Sequence, residues 1–129
     1  MSAAENKEIV RKIGQGALDG MLAAMADDVR WTIIGTTKFS GSYNGKKDLL
    51  DRLIKPLSAQ LETPGSNATD NVIAEGDYVV LQSRGTGRKA KSGKAYNNTY
   101  CIVYKLANGK IQEVTEYCDT ELITEAFGK

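Results

Sequence analysis

The sequence predicts an α+β fold, with N-terminal helices packed in the concave face of a curved, mainly antiparallel sheet. Three observations predict it. Before Thr63-Pro64-Gly65-Ser66 most apolar side chains recur at the helical period, and after it they alternate with a period near two. Turn residues then cut the alternating half into strand-length pieces, the clearest cut being Asn108-Gly109. Helices followed by a long meander leave one face of the sheet to be covered by those helices. At 129 residues the chain has the size of one domain, expected to span positions 1–129.

Taken in order, Ile9, Val10 and Ile13 mark a first amphipathic helix over about Ala4 to Gly14, and Leu18, Met21, Leu22 and Met25 a second over about Leu18 to Ala26. Val29 to Gly35 reads as a short strand, β-branched and aromatic and ended by glycine. A Gly-rich passage, Ser40 to Gly45, leads into a third helix from about Lys46. Its apolar stripe is Leu49, Leu50, Leu53, Ile54, Leu57 and Leu61, and Pro56 should kink or interrupt it. Strands follow at about Ala68 to Ala74, Asp77 to Arg88, Ala95 to Leu106 and Lys110 to Thr120, with a basic loop at Lys89 to Lys94. A short helix over Glu121 to Phe127 closes the chain.

Composition narrows the function classes. Seventeen basic and sixteen acidic residues give a net charge of +1, so no overall field favours nucleic acid or a membrane surface. The chain has no histidine, which excludes Ser-His-Asp and Cys-His nucleophile systems and the usual zinc sites. Acid and base work therefore falls to Asp, Glu, Tyr, Lys or Cys. The polar start, Met1 to Glu8, carries no apolar run of signal-peptide or membrane length, so a cytoplasmic protein is expected. Cys101 and Cys118 fit no metal or redox spacing and read as reduced packing residues. Gly85-Thr86-Gly87-Arg88-Lys89-Ala90 matches G-x-G-x-x-A but leads to a Lys-rich turn instead of a helix, so it reads as a strand end. The basic run to Lys94 reads as a solvated loop.

The candidate site lies in the last strands. Tyr96, Asn98, Tyr100, Ile102, Tyr104 and Leu106 share one strand face, suited to a pocket wall with polar ends, to a contact surface, or to ordinary cross-strand packing. Arg84 lies well inside its predicted strand, an unusual place for a guanidinium without a carboxylate or ligand. The last strand offers acids: Glu116 and Asp119, three residues apart, fall on opposite faces unless a bulge intervenes. A half-buried carboxylate beside tyrosine suits proton transfer near neutrality. The plainer alternative has Glu116 pairing with Arg84 and Asp119 capping the final helix.

These residues resemble the SnoaL-like, ketosteroid isomerase-related branch of the nuclear transport factor 2-like (cystatin-like cone) superfamily. The likeness rests on Ala26-Asp27-Asp28-Val29-Arg30-Trp31, Gly35, Ser40 to Lys46, Ala74 to Val80, Tyr96 to Tyr100, Asn108 to Ile111, and Glu116 to Thr120, in that order along the whole chain. It implies a cone with an apolar pocket and a homodimer formed through the sheet face. Thr32 falls where the ketosteroid isomerases would carry their general base, so the resemblance does not extend to that route. Arg84 and Glu116 match two of three groups of the limonene epoxide hydrolases, with Thr86 in place of the aspartate. The polyketide cyclases point to Asp119 or Glu116 as a proton shuttle. Together these imply a small enzyme, without cofactor or metal, acting on a hydrophobic oxygenated molecule as an isomerase, cyclase or hydrolase. Glu116, Asp119 and Arg84 are its expected catalytic groups, and Trp31, Tyr43, Tyr100 and Thr86 its expected ligand contacts. The alternative from another class is a non-catalytic binding or dimerisation domain of the same fold, which a packed cone would favour over an open one.

Overall fold

A computed structural model describes residues 1–15 and 18–129. Two helices, α1 (Ala3–Gln15) and α2 (Leu18–Ala24), precede β1 (Met25–Ile33) and β2 (Gly41–Asn44). A helical stretch follows as α3 (Lys46–Leu49), a π turn (Leu50–Ile54) and α4 (Lys55–Ala59). Then come β3 (Leu61–Thr63), β4 (Ser66–Glu75), β5 (Tyr78–Thr86), β6 (Lys89–Ala90), β7 (Thr99–Ala107), β8 (Lys110–Cys118) and α5 (Thr120–Phe127). The main sheet has the order β2-β1-β8-β7-β5-β4, and β3 pairs with β6 in a second, two-stranded sheet. Every pairing is antiparallel except β1 with β8, where the helical half of the chain joins the meander.

The α+β cone expected from the sequence is what forms, with differences at short elements. β1 begins at Met25, four residues before the expected strand, because Met25 pairs with Ile111 on β8 and is buried there, overriding the helical spacing that included it. Gly41–Asn44, expected as loop, is a strand: Tyr43 sits opposite Trp31, its ring is buried and its hydroxyl donates to the Phe39 carbonyl at 2.7 Å. Leu61 leaves the helical stripe to pair with Ala90, so part of the basic loop is strand and Ala90 is fully buried. Pro56 interrupts without breaking. It falls in the first turn of α4, where no backbone N–H is required, and the preceding turn is widened so that the Lys55 N–H reaches the Leu50 carbonyl.

Strand alternation decides which side chains meet the helices. The inner faces carry Val29, Trp31 and Ile33 from β1, Val79, Leu81 and Ser83 from β5, and Tyr100, Ile102, Tyr104 and Leu106 from β7. β8 adds Ile111 and Val114, with a register shift opposite Lys105/Leu106 that resets its alternation. Against this face pack Val10 of α1, Leu49 and Leu53 from the α3 stretch, and Ile123, Ala126 and Phe127 of α5. Tyr96 stacks edge-on to Phe127 with ring centres 4.6 Å apart, closing the cone under α5. Among the described residues no helix is long and apolar enough to cross a membrane.

Candidate active site

The helices do not fill the cone. A cavity of about 330 Å³ remains between them and the sheet, within the range of small-molecule sites. Its wall is mostly apolar: Ile13 and Met21 from the first two helices, Leu49, Leu53, Ile54 and Leu57 from the third stretch, Ile33, Leu81 and Ile102 from the sheet, and Ile123 from α5. Into this wall are set a few polar groups: Glu116, Arg88, Ser83, the Trp31 indole and the hydroxyls of Tyr96, Tyr100 and Tyr104.

Glu116 is the only acidic side chain lining the cavity among the described residues. It stands on β8 between Ile33 of β1 and Ile102 of β7, so aliphatic neighbours flank it on both sides and its residual exposure is toward the void it lines. Burial pushes its carboxyl up to about 7; the Trp31 indole, the Cys118 thiol and, from farther off, the Arg88 charge work in the opposite direction and favour the anion. The Trp31 Nε1 is buried and completes no hydrogen bond of its own, so its influence on Glu116 is that of a nearby dipole. Burial also drives Tyr100 and Tyr104 well above the ordinary phenol value and raises Tyr96, so all three remain protonated donors. The Cys118 thiol is pushed up to about 12, mainly by burial, and stays neutral.

Of the expected catalytic groups and ligand contacts, Glu116, Trp31 and Tyr100 meet in the cavity. The others do not. Arg84 faces the opposite side of β5, about half exposed, with its Nε 3.2 Å from Asp70 on β4. Glu116 therefore cannot be its partner, and the arginine of the hydrolase-like triad is absent from the pocket. Thr86 shares that outer face and lies 2.8 Å from the Ser66 hydroxyl. Tyr43 is spent on the Phe39 carbonyl and on the Arg52 guanidinium over its ring. Asp119 lies beyond the end of β8 and caps α5, accepting from the Leu122 N–H at 3.3 Å, so only Glu116 of the pair points inward and no bulge separates them. Thr32 is on the outer face of β1, bonded to Ser42, and none of the inner residues of that strand is an acid. The tyrosine row lines the cavity, which removes it as a contact surface for a second chain.

Sequence reasoning missed Arg88 and the framework behind it. Counting in twos puts Arg88 on the same face as Arg84, a face the structure places outside, but Gly87 adopts φ +64°, which breaks the pleat and turns the next side chain inward. The G-T-G run immediately before the arginine was the available signal. Asn98, wholly buried, ties β7 to α5: its Oδ1 accepts the Asp119 N–H at 2.9 Å and its Nδ2 donates to the Asp119 carbonyl at 3.0 Å and to the Tyr96 hydroxyl at 3.3 Å. Among the described residues no three Cys, Asp or Glu side chains approach closely enough to hold a metal ion.

A six-stranded sheet curved round helices, with one carboxylic acid at the wall of an apolar hollow, is the α+β cone of the nuclear transport factor 2-like class. The chain belongs to the SnoaL-like domain family, whose model matches residues 7–114. Among solved structures it is similar to a nuclear transport factor 2-like protein of Burkholderia xenovorans, at 25% identity over 98% of both chains with a TM-score of 0.75. It is also similar in fold to a Bacillus subtilis protein provisionally named an isomerase, at 18% identity, covering 100% of this chain and 98% of that one, TM-score 0.81. A Jannaschia protein provisionally named a SnoaL-like polyketide cyclase matches at 20% identity, over 98% of this chain and 93% of that one, TM-score 0.71. No curated protein matches the sequence significantly.

Proposed function

We propose that this chain is a small proton-transfer enzyme, of the isomerase or cyclase kind, in which Glu116 acts as both base and acid on a hydrophobic oxygenated molecule held in the cone. The observation that carries this reading is a lone carboxyl, poised near 7, in the wall of an otherwise largely apolar cavity. A group half ionised at neutrality can take a proton and return it, and a positioned one contributes roughly 10²- to 10⁴-fold to a rate. In the reaction supported best, Glu116 removes a proton from a carbon next to a carbonyl, and the C–H electron pair moves through the new C=C to the carbonyl oxygen. A neutral tyrosine hydroxyl at the wall, Tyr100 or Tyr104, donates a hydrogen bond to the enolate oxygen. Where a C=C is conjugated with the enolate, returning the proton from Glu116 to its far carbon gives an isomer; attack of the enolate on a second carbonyl of the same molecule gives a ring, whose new alkoxide takes that proton back from Glu116. The hydrolase route, which drew on Arg84 and Thr86, is set aside because both side chains lie outside the cavity.

The test is exchange of α-protons of bicyclic ketones, 2-tetralone and 1-decalone, followed by NMR in deuterated buffer. The native chain should accelerate exchange, with a rate that rises through pH 7 as Glu116 ionises, and Glu116→Gln should lower the rate by about 10²- to 10⁴-fold. Binding of these ketones without any exchange above buffer would favour the non-catalytic reading and overturn this one.

A further inference from the structure

Arg88 is built into the cavity in a way the proton-transfer reading leaves unused. Its backbone is held from both sides: its N–H donates to the Asn97 Oδ1 at 2.9 Å, and its carbonyl accepts the Tyr96 N–H at 2.9 Å. Its stem passes between two glycines. A Cβ on Gly65, which sits at φ +58°, would fall 2.7 Å from the Arg88 Cγ, and one on Gly85 would fall 3.3 Å from its Cδ. Those two missing side chains make the slot through which the stem reaches the cavity it lines.

At the end of this fixed stem the charge has no protein counterpart. Among the described residues no carboxylate lies within ion-pair distance of Arg88, whereas Arg11, Arg52 and Arg84 each have one. Its Nε is buried and makes no hydrogen bond. A buried donor on a cation, left without an acceptor, costs free energy that a folded chain normally avoids. Glu116 lines the same cavity and forms no ion pair with Arg88, so the hollow that both border is where a counter-charge on a ligand could meet the guanidinium.

We infer that Arg88 is the receptor for an anionic group on the ligand, so that the cavity takes hydrophobic organic acids, with the carboxylate on the guanidinium and the apolar body along Leu53, Leu57 and Leu81. The inference rests on the reading of the cavity as a ligand site, and it names the class of molecule that site selects. A planar fork of donors matches a carboxylate two bonds at a time, which a neutral amide of the same shape cannot reproduce. Directed across the cavity, such an anchor also fixes which part of the body is presented to Glu116.

Trp31 is the only tryptophan and lines the cavity, so its fluorescence reports occupancy. The probes are 4-cyclohexylbutanoate and its primary amide, titrated near neutral pH. The native chain should bind the acid about ten- to a hundredfold more tightly than the amide. Arg88→Met and Arg88→Gln, each keeping much of the stem without the charge, should bind the two probes equally, with amide affinity unchanged. Glu116→Gln should keep the preference. Equal binding of acid and amide by the native chain, or a preference that survives both Arg88 substitutions, overturns the anion site while the cavity and the role of Glu116 stand. Failure of both probes to bind overturns this inference together with the ligand-site reading, whereas a native chain that shows the acid preference but no exchange above buffer would count against the role of Glu116 alone.

Discussion

The two faces of the β5-β7-β8 sheet handle charge in opposite ways. On the outer face charged groups come in pairs that water already solvates: Arg84 with Asp70, and Lys105 directly across from Glu113. On the inner face one carboxyl and one guanidinium stand apart, each among apolar neighbours and neither neutralised by a close partner. The outer pairs therefore add little energy and do no chemistry, because solvent would screen them even if they were separated. Of the inner two, Glu116 is perturbed by the same burial that stabilises the fold. Function on this scaffold comes from leaving polar groups incompletely satisfied on the dry side of a sheet, and their number has to stay small because each one opposes folding.

The largest effect that would sharpen this contrast is the pH dependence of stability. Glu116 sits near 7 when folded against an ordinary 4.5, so between those values the folded chain holds more protons than the unfolded one. Stability from this group is full below about pH 4.5, falls as pH rises, and is lost above about 7. Glu116→Gln cannot titrate. Relative to the native chain it should be more stable at pH 8 than at pH 4 by roughly 2–3 kcal/mol, read from urea melts at the two pH values. A difference near zero would show that the carboxyl is not held above its ordinary range.

Smaller effects belong to groups outside the hollow. Asp119→Ala should cost about 1 kcal/mol by removing the cap of α5, and should leave the acid-over-amide preference intact. A loss of that preference would return Asp119 to the site. Smallest of all, Arg84→Ala or Asp70→Asn should change stability by about 0.2–1 kcal/mol and leave proton exchange untouched. Exchange that collapsed in Arg84→Ala would mean that the outer face communicates with the cavity.

Much of this architecture was readable before any coordinates. The change of hydrophobic period at Thr63 to Ser66 separated helices from meander, and counting in twos from Tyr100 placed Ile102, Tyr104 and Leu106 on the buried face. Glu116 was legible only as one of a pair with Asp119; the register that sets it opposite Ile102, on the face of Val114, decided between them. What escaped were features set by single residues or by partners far away in sequence. β2, β3 and β6 are too short to show a period and exist because β1 and each other supply the hydrogen bonds. The alternation in β5 was read from the wrong side. Val79, Leu81, Ser83 and Gly85 are the buried residues, so the face that carries Arg84 is the outer one, and one left-handed glycine then turns Arg88 into the cavity in its place. A backbone torsion of that kind leaves no trace in a count of hydrophobic residues.

The π turn at Leu50–Ile54 has a consequence for how such cavities diversify. A turn of this type takes in one residue more than a regular turn, so removing one residue there would restore the regular helix and leave the phase of the segment after it unchanged. Leu57 and Ser58 would still border the hollow, whereas the same deletion in a regular turn would swing them away by about 100°. The sheet, with its acid and its arginine, would be untouched in either case. A change of length confined to this one turn is thus absorbed locally, while one placed elsewhere in the stretch reshapes what the molecule admits.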